Sequence, residues 1–268
     1  MMNVRHDKAS RSQHKNTAFQ PGVIDTLRTL APASGMAHSQ WIVPYSVLAA
    51  ADQPLRFVVG WGYEFPVDGK LPGERLEEAA QRSHEGEKEA LEVLPGAKQK
   101  AIPAPSRTLL TVKLVSSYFS RTYESAKRAS REAYPDAMRC NKSHNNARAL
   151  VTTYPGQDQA IEPAGVVLEI IPLETPAQVA PGDSLAVQVL WFVRLYQIEI
   201  SVMSAKRDQT DDGPFRCKIP TDLNGQAAIE LSQPGPWLLD GKKTTTYSDE
   251  SICEVNTFYS TMTFEVSE

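Results

Sequence analysis

Short apolar runs broken by proline and glycine constrain the fold of this chain more than any other feature. The chain has 19 prolines and 15 glycines in 268 residues, and they punctuate these runs. The clearest run, PGDSLAVQVLWFV (181–193), begins at a Pro-Gly-Asp turn and then alternates, with Leu185, Val187 and Val189 on one face. Because this alternation has the period of a half-buried strand, the sequence predicts an all-β protein.

The strand-like runs form two blocks separated by a more polar middle. The first block comprises 41–48 and 54–66, and the second comprises 166–176, 181–193, 198–206, 226–231 and 257–266. A strand-like run at 106–119 lies within the polar middle. Closely spaced short strands with turn residues between them are typical of an immunoglobulin-like sandwich. We therefore predict two β-sandwich domains, an N-terminal one with insertions over 38–160 and a C-terminal one over 161–268.

The polar middle contains two stretches with weak helical spacing. Residues 73–96 are rich in Glu and Lys, but Gly86 interrupts them, so they predict either a solvated helix or an irregular insertion. Residues 120–148 are basic and polar, which favours a solvated face over an anion site. The predicted fold is thus all-β with a polar, partly helical or irregular middle segment.

The first 37 residues do not resemble a folded domain. Residues 1–20 are polar, basic and unpatterned, which predicts a disordered leader. Residues 22–37 (GVIDTLRTLAPASGMA) have the outline of a secretory signal, although Asp25 and Arg28 interrupt its apolar core. We expect cleavage after Gly35 or after Ala37, and hence a periplasmic or secreted protein.

Either cleavage would turn His38 into part of a chelating terminus. A terminal amine titrates near pH 8, so a metal ion can displace its proton while the imidazole binds the same ion. With histidine third in the chain, amine, amide and imidazole nitrogens form the square-planar set that suits Ni(II) or Cu(II). The other candidate ligands are His84 and His144, which show no metal-binding spacing relative to one another. The alternative is that His38 is an ordinary histidine at the start of a strand.

Charge and motif content exclude several other classes of function. The net charge is −4 and no basic face stands out, so we expect no nucleic-acid partner. No run of 18 apolar residues is present, so we expect no membrane-spanning segment. The sequence has no nucleophile elbow, phosphate-binding loop or dinucleotide-binding loop, and we expect no enzymatic activity. The three cysteines allow either one disulfide and a spare thiol or three buried thiols.

Several segments, taken in order, resemble a known family. They are AHSQWIVP, GWGYEFP, RTYESAKRASREAYPDAMRC, LEIIPLETP, PGDSLAVQVL, TDLNGQAAIELSQPGPWLL and CEVNTFYSTMTFEV. Over about residues 37–268 the chain resembles an exported bacterial family, domain of unknown function 4198, whose members are described as periplasmic components of nickel or cobalt uptake systems. The resemblance implies a transthyretin-like second domain, nickel or cobalt as the bound ion, a metal-transporter membrane component as partner, and no catalysis.

The resemblance also implies a disulfide and reveals two departures. Cys140 and Cys253 both fall in matching segments, so we expect them to pair and Cys217 to stay free. Family members carry Gly-His where this chain has Gly62-Tyr63, so one possible metal ligand is missing. They carry a Gly-Lys-Pro turn where this chain has 192–195, so we expect a distorted hairpin there. A β-sandwich binding module for a protein or glycan is the alternative function.

Overall fold

The computed structural model describes residues 38–44, 54–55, 57–66, 68–83, 87–91, 93–94, 98–99, 102–103, 107–152, 162–205 and 215–266. These residues all belong to one compact unit, Met36–Glu268. They are mostly strand, and the only helical turns among them are short 3-10 turns at Gly73–Arg75 and Pro176–Gln178. The prediction of a mainly β protein is therefore confirmed. The leader, 1–37, and His84 lie outside the described residues.

The strands are numbered in chain order. The first eleven are β1 (Ser39–Pro44), β2 (Pro54–Leu55), β3 (Phe57–Gly62), β4 (Gly69–Lys70), β5 (Leu76–Ser83), β6 (Lys88–Ala90), β7 (Val93–Leu94), β8 (Lys98–Gln99), β9 (Ile102–Pro103), β10 (Arg107–Leu114) and β11 (Ser117–Arg121). The others are β12 (Ala126–Lys127), β13 (Arg139–Thr152), β14 (Leu168–Pro172), β15 (Ser184–Trp191), β16 (Arg194–Leu195), β17 (Glu199–Ser204), β18 (Phe215–Pro220), β19 (Gln226–Glu230), β20 (Gly235–Thr246) and β21 (Val255–Val266).

One large sheet organises the described chain. Its ten strands follow the order β18-β17-β20-β21-β13-β10-β5-β6, with β11 beside β13 and β12 beside β11. Neighbouring strands are antiparallel except β13 and β21, which run parallel from Asn141 opposite Val255 to Ala149 opposite Thr263. The smaller sheets are β1-β3-β8-β7 with β4 on β3, β14-β15-β16 with β19 on β15, and the pair β2-β9.

Two of the smaller sheets cover opposite faces of the large one. Successive side chains of a strand point to opposite faces, and Leu238 and Leu239 of β20 illustrate this. Leu238 packs with Trp41 of β1 on one face. Leu239 packs on the other face in the core that includes Ile170 of β14 and Val187 of β15. The centre of the large sheet is therefore buried on both sides.

Among its described residues the polar middle is strand at 76–83 and 139–152 and mostly irregular at 122–138, so the irregular part of that prediction holds and the helical part is wrong. Residues 76–83 form β5, which pairs with β10 on one side and β6 on the other. Its small residues Ala79 and Ala80 are buried against these neighbours. Pairing and burial thus outweigh the helix propensity of the Glu- and Ala-rich sequence.

The prediction of a solvated face is also wrong for residues 139–148. Residues 139–148 belong to β13, a central strand of the large sheet, rather than to an exposed surface. Asn145, Asn146 and Arg148 are buried there. Their polarity suggested an exposed surface. Buried polar side chains need hydrogen-bond partners, and the sequence alone does not show which strands supply them.

The large sheet draws strands from both predicted domains. It takes β5, β10 and β13 from 38–160 and β17, β18, β20 and β21 from 161–268. The predicted boundary at 160/161 falls outside the described residues.

The hairpin between β15 and β16, where we expected a distortion, keeps regular pairing but has a strained turn. Trp191 pairs with Arg194, so Phe192 and Val193 form a two-residue turn. Both have left-handed backbone angles, with φ of 49° and 60°. That conformation normally requires glycine or asparagine, and for a β-branched residue such as Val193 it is strained.

A disulfide bond joins Cys140 and Cys253, which are 113 residues apart, and Cys217 is a free thiol. This is the pairing that the resemblance implied. The parallel pairing of β13 with β21 brings the two cysteines together, since each precedes one of these strands or lies at its start. No helix in the described ranges is long and apolar enough to cross a membrane.

Candidate functional site

Strand register places His38 against Tyr63. β1 and β3 are antiparallel with Ser39 opposite Gly62, so the residue before β1 lies beside the residue after β3. The exposed His38 ring lies with its centroid 4.0 Å from that of Tyr63. It also stacks on Trp61, with centroids 5.5 Å apart and planes 3° apart. The candidate ligand is therefore held in an aromatic environment at the end of the β1–β3 pair.

An ionised carboxylate lies beside this histidine. Oδ2 of Asp68 accepts hydrogen bonds from the backbone N–H groups of Tyr63 at 2.6 Å and Glu64 at 3.2 Å. These bonds, and to a lesser degree the charge of His38, lower the pKa of Asp68. A Cβ atom on Gly62 would lie 2.0 Å from Oδ2, so glycine is required for this close approach.

The buried guanidinium of Arg75 packs against the ring of Trp61. The guanidinium of Arg75 lies 3.8 Å from the centroid of a Trp61 ring, which is cation–π geometry. Arg75 is only 4% exposed. Burial, and then the nearby Arg128, lower the pKa of Arg75 to about 10, against the opposing effect of Glu74. Arg75 thus remains charged at neutral pH and fixes the ring on which His38 stacks.

The first residue of β1 is fixed as well. Oγ of Ser39 donates a hydrogen bond of 2.6 Å to Oδ2 of Asp240 on β20. Because Ser39 follows His38 directly, this bond holds the start of β1 against the large sheet. The site therefore offers an exposed imidazole and a carboxylate on an anchored backbone.

His144 lies in different surroundings. Its Nδ1 is 2.8 Å from Oγ of Ser116, and its Nε2 is 3.1 Å from Oδ1 of Asn256. Its ring stacks on Phe258 with centroids 4.4 Å apart. None of these partners belongs to the His38 site, and both ring nitrogens are engaged. The structure therefore gives His38 and His144 separate sets of contacts.

Cys140, Cys253 and Glu254 are the one group of three potential metal ligands found in the described part of the chain. The two sulfur atoms are joined to each other, so neither is a thiolate. Glu254 is paired with Arg131 and accepts a 2.6 Å hydrogen bond from the N–H of Cys140. The two cysteines are used in the disulfide and Glu254 in its ion pair, so the group presents no open coordination site.

Sequence reasoning assigned no functional role to Asp68 or Trp61. The pairing of the predicted strands could have identified both residues. If the runs 41–48 and 54–66 form adjacent antiparallel strands, the turn after the second run must approach the start of the first. The segment Gly62–Asp68 would then lie beside His38.

A family model described as Domain of unknown function (DUF4198) matches residues 35–244. The chain belongs to the DUF4198 family. The matched range includes all of His38, Trp61, Tyr63, Asp68 and Arg75, so the His38 site lies within the family domain. No curated protein matches the chain significantly.

Proposed function

We propose that this DUF4198 protein is a non-enzymatic, exported protein that binds a transition metal ion, nickel or cobalt, through His38 at a processed N-terminus. The observation that carries the proposal is the position of His38, exposed at the start of β1 beside the Asp68 carboxylate. The bound ion would be passed to a membrane component of a metal transporter, so the protein supports uptake.

Processing matters because it changes the chemistry of one nitrogen. In the full chain the backbone nitrogen of His38 is an amide, which has no basic lone pair. Cleavage after Ala37 makes it an amine, which closes a chelate ring with the imidazole of the same residue. The Asp68 carboxylate adds negative charge beside this ring, which favours a divalent cation.

The disulfide and the two cores support the rest of this proposal. Disulfides persist in oxidising compartments, so the Cys140–Cys253 bond favours a periplasmic or secreted location. The separate apolar cores on the two faces of the large sheet support two sandwich-like domains, 38–160 and 161–268, that share this sheet.

Metal titration of two forms of the protein tests the proposal. Ni(II), Co(II), Cu(II) and Zn(II) are titrated calorimetrically into protein beginning at His38 and into the full chain. We expect binding only by the processed form, weakening below about pH 6 as protons compete for amine and imidazole. His38→Ala should abolish binding, whereas His84→Ala should at most reduce it. Equal binding by both forms contradicts the proposal.

Tyr63→Phe and Tyr63→His form a matched pair of variants at the same site. The Tyr63 ring lies 4.0 Å from that of His38, and imidazole is a better ligand for Ni(II) than phenol. We expect Tyr63→His in the processed form to bind Ni(II) about tenfold more tightly, equivalent to about 1.4 kcal/mol. Tyr63→Phe should leave the affinity unchanged. If both variants bind like the wild type, position 63 does not face the metal.

One observation favours the alternative function, a binding module for a protein partner. The strained hairpin exposes Phe192 by 56%, Val193 by 69% and Leu195 by 51%. Exposed apolar side chains that cluster on one hairpin are typical of an interaction site. If Phe192→Ser abolishes binding to an isolated transporter component while metal titrations give no heat, the binding-module function replaces metal binding.

A further inference from the structure

Strand register also places a serine against His144. β11 and β13 are antiparallel with Ser117 opposite Ser143, so Ser116 lies beside His144. Oγ of Ser116 is 2.8 Å from Nδ1 of His144, and both side chains are half-buried. Ser116 is therefore within proton-transfer distance of the imidazole.

The hydrogen bonds around His144 determine where its proton resides. Nδ2 of Asn256 donates to the carbonyl oxygen of Thr246 at 3.3 Å, so Oδ1 of Asn256 is the atom that faces the imidazole. This oxygen can only accept, so Nε2 of His144 carries the hydrogen in its 3.1 Å contact with Oδ1. Nδ1 is then unprotonated and accepts the hydrogen of the Ser116 hydroxyl.

From this geometry we propose that Ser116 is a nucleophilic modification site, with His144 as its general base and Asn256 as the residue that positions the imidazole. The site would take acyl donors with a good leaving group or organophosphorus electrophiles. The Oγ–carbon bond forms, the bond from that carbon to the leaving group breaks, and the serine proton passes through Nδ1 of His144 to the leaving group. The inference goes beyond the proposed function and does not depend on metal binding.

The surroundings of His144 keep it in the neutral form that a base requires. Burial is the largest influence and lowers the pKa of His144. Of the charged groups nearby, Lys142 and Lys113 lower it further, whereas Glu77 and the bond to Asn256 raise it. The ring also stacks on Phe258, with planes 9° apart, which fixes its orientation.

Ser117 provides a matched control for reactivity. Its Oγ donates to the carbonyl oxygen of Val115 at 3.1 Å, so this neighbouring hydroxyl is bonded to a group that cannot act as a base. A fluorophosphonate probe is incubated with the whole protein in the presence of a chelator, and peptide mass spectrometry locates the adduct. Here the Oγ–P bond forms, the P–F bond breaks, and fluoride leaves with the serine proton that passed through Nδ1 of His144. We expect one adduct, on Ser116, that persists in Ser117→Ala and disappears in Ser116→Ala.

Variants of the other two residues test their roles. His144→Phe keeps an aromatic ring against Phe258 but has no base, and we expect labelling about 100-fold slower. Asn256→Asp keeps the accepting oxygen and adds a negative charge, so it should label and shift the pH midpoint of the labelling rate upward. Absence of an adduct in the wild type, an adduct on Ser117, or an unchanged rate in His144→Phe each overturns the proposal. If His144→Phe does not fold, an unshifted pH midpoint in Asn256→Asp overturns it.

Discussion

At the scale of single residues, backbone strain is concentrated in the turn Phe192-Val193. Left-handed φ angles cost an L-residue about 1–2 kcal/mol, whereas glycine adopts them freely. Val193, with φ of 60°, is β-branched and thus the less suited of the two. We expect Val193→Gly to raise the free energy of unfolding by about 1 kcal/mol, measured by urea denaturation.

The adjacent residue supplies the control for this experiment. Arg194 begins β16 and, unlike Val193, does not have a positive φ. Glycine there relieves no strain and adds flexibility to the unfolded chain, so Arg194→Gly should be destabilising. If both glycine variants change stability in the same direction, turn strain does not explain the Val193 result.

Asp240 makes stability depend on pH. Burial raises the pKa of Asp240 to about 6 from an ordinary value of 3.8, against the hydrogen bond from Ser39 and the charge of Lys242. Between about pH 4 and 6 the folded protein keeps a proton that the unfolded chain has lost, so this group's contribution to stability falls as pH rises through that window. Asp240→Asn removes the effect. We expect it to be more stable than wild type above pH 6, by about 3 kcal/mol, with the difference shrinking towards pH 4.

Asp249 is a control whose contribution to stability depends on pH in the opposite direction. Hydrogen bonds from Ser251 lower the pKa of Asp249, so its contribution to stability is present at neutral pH and is lost as pH falls. Asp249→Asn should therefore be less stable than wild type at pH 7. Urea denaturation of both variants at several pH values measures the two effects, and equal pH profiles contradict the assignment.

At the scale of elements, a buried ion pair connects β13 to β14. Nη1 of Arg148 lies 2.6 Å from Oε1 of Glu169 and donates to the carbonyl oxygen of Ile170 at 3.0 Å. Glu169 also accepts N–H bonds from Ala164 and Gly165. Both charged side chains are essentially inaccessible to solvent. The pair joins the large sheet to the β14–β15 sheet on its face.

Removing one member of this pair should be more harmful than removing both. We expect Arg148→Met to lower the free energy of unfolding by about 3–5 kcal/mol, because it leaves the Glu169 charge buried without its partner. The double variant with Glu169→Leu should recover part of that loss. The exposed pair Lys218–Glu199 is the control, and Lys218→Met should cost at most about 1 kcal/mol. Chemical denaturation measures all three variants, and a double variant that is no more stable than Arg148→Met contradicts the prediction.

At the scale of the whole molecule, the disulfide closes a loop that contains the end of the first predicted domain and most of the second. The bond spans 113 residues of sequence, and in the chain-entropy account a loop of this length is worth about 5 kcal/mol. We expect Cys140→Ala/Cys253→Ala to lose about this much stability. Cys217→Ala should change stability much less, since this thiol is free. Thermal unfolding with and without a reducing agent measures the effect, and reduction should destabilise only proteins that keep both cysteines.

Elements whose signal is local could be predicted from the sequence. Leu185, Val187 and Val189 alternate along β15 and are buried as the pattern predicted. The absence of a turn residue likewise indicated an unfavourable turn at 192–195, and the structure shows strain there rather than a disrupted hairpin. His38 was identified because its position near the cleavage-like segment can be read directly from the chain.

The remaining features could not be predicted from the sequence, because they depend on contacts between residues far apart in it. Nothing in the local sequence of β13 predicts that Asn145 and Arg148 are buried. Their burial follows from the pairing of β13 with β21 and from the ion pair between Arg148 and Glu169. The contact of His38 with Tyr63 depends on the register of β1 against β3. The contacts of His144 depend on the pairing of β13 with β11 and with β21. Alternation of apolar residues is a property of one strand, whereas pairing and charge compensation are properties of strands that only folding brings together.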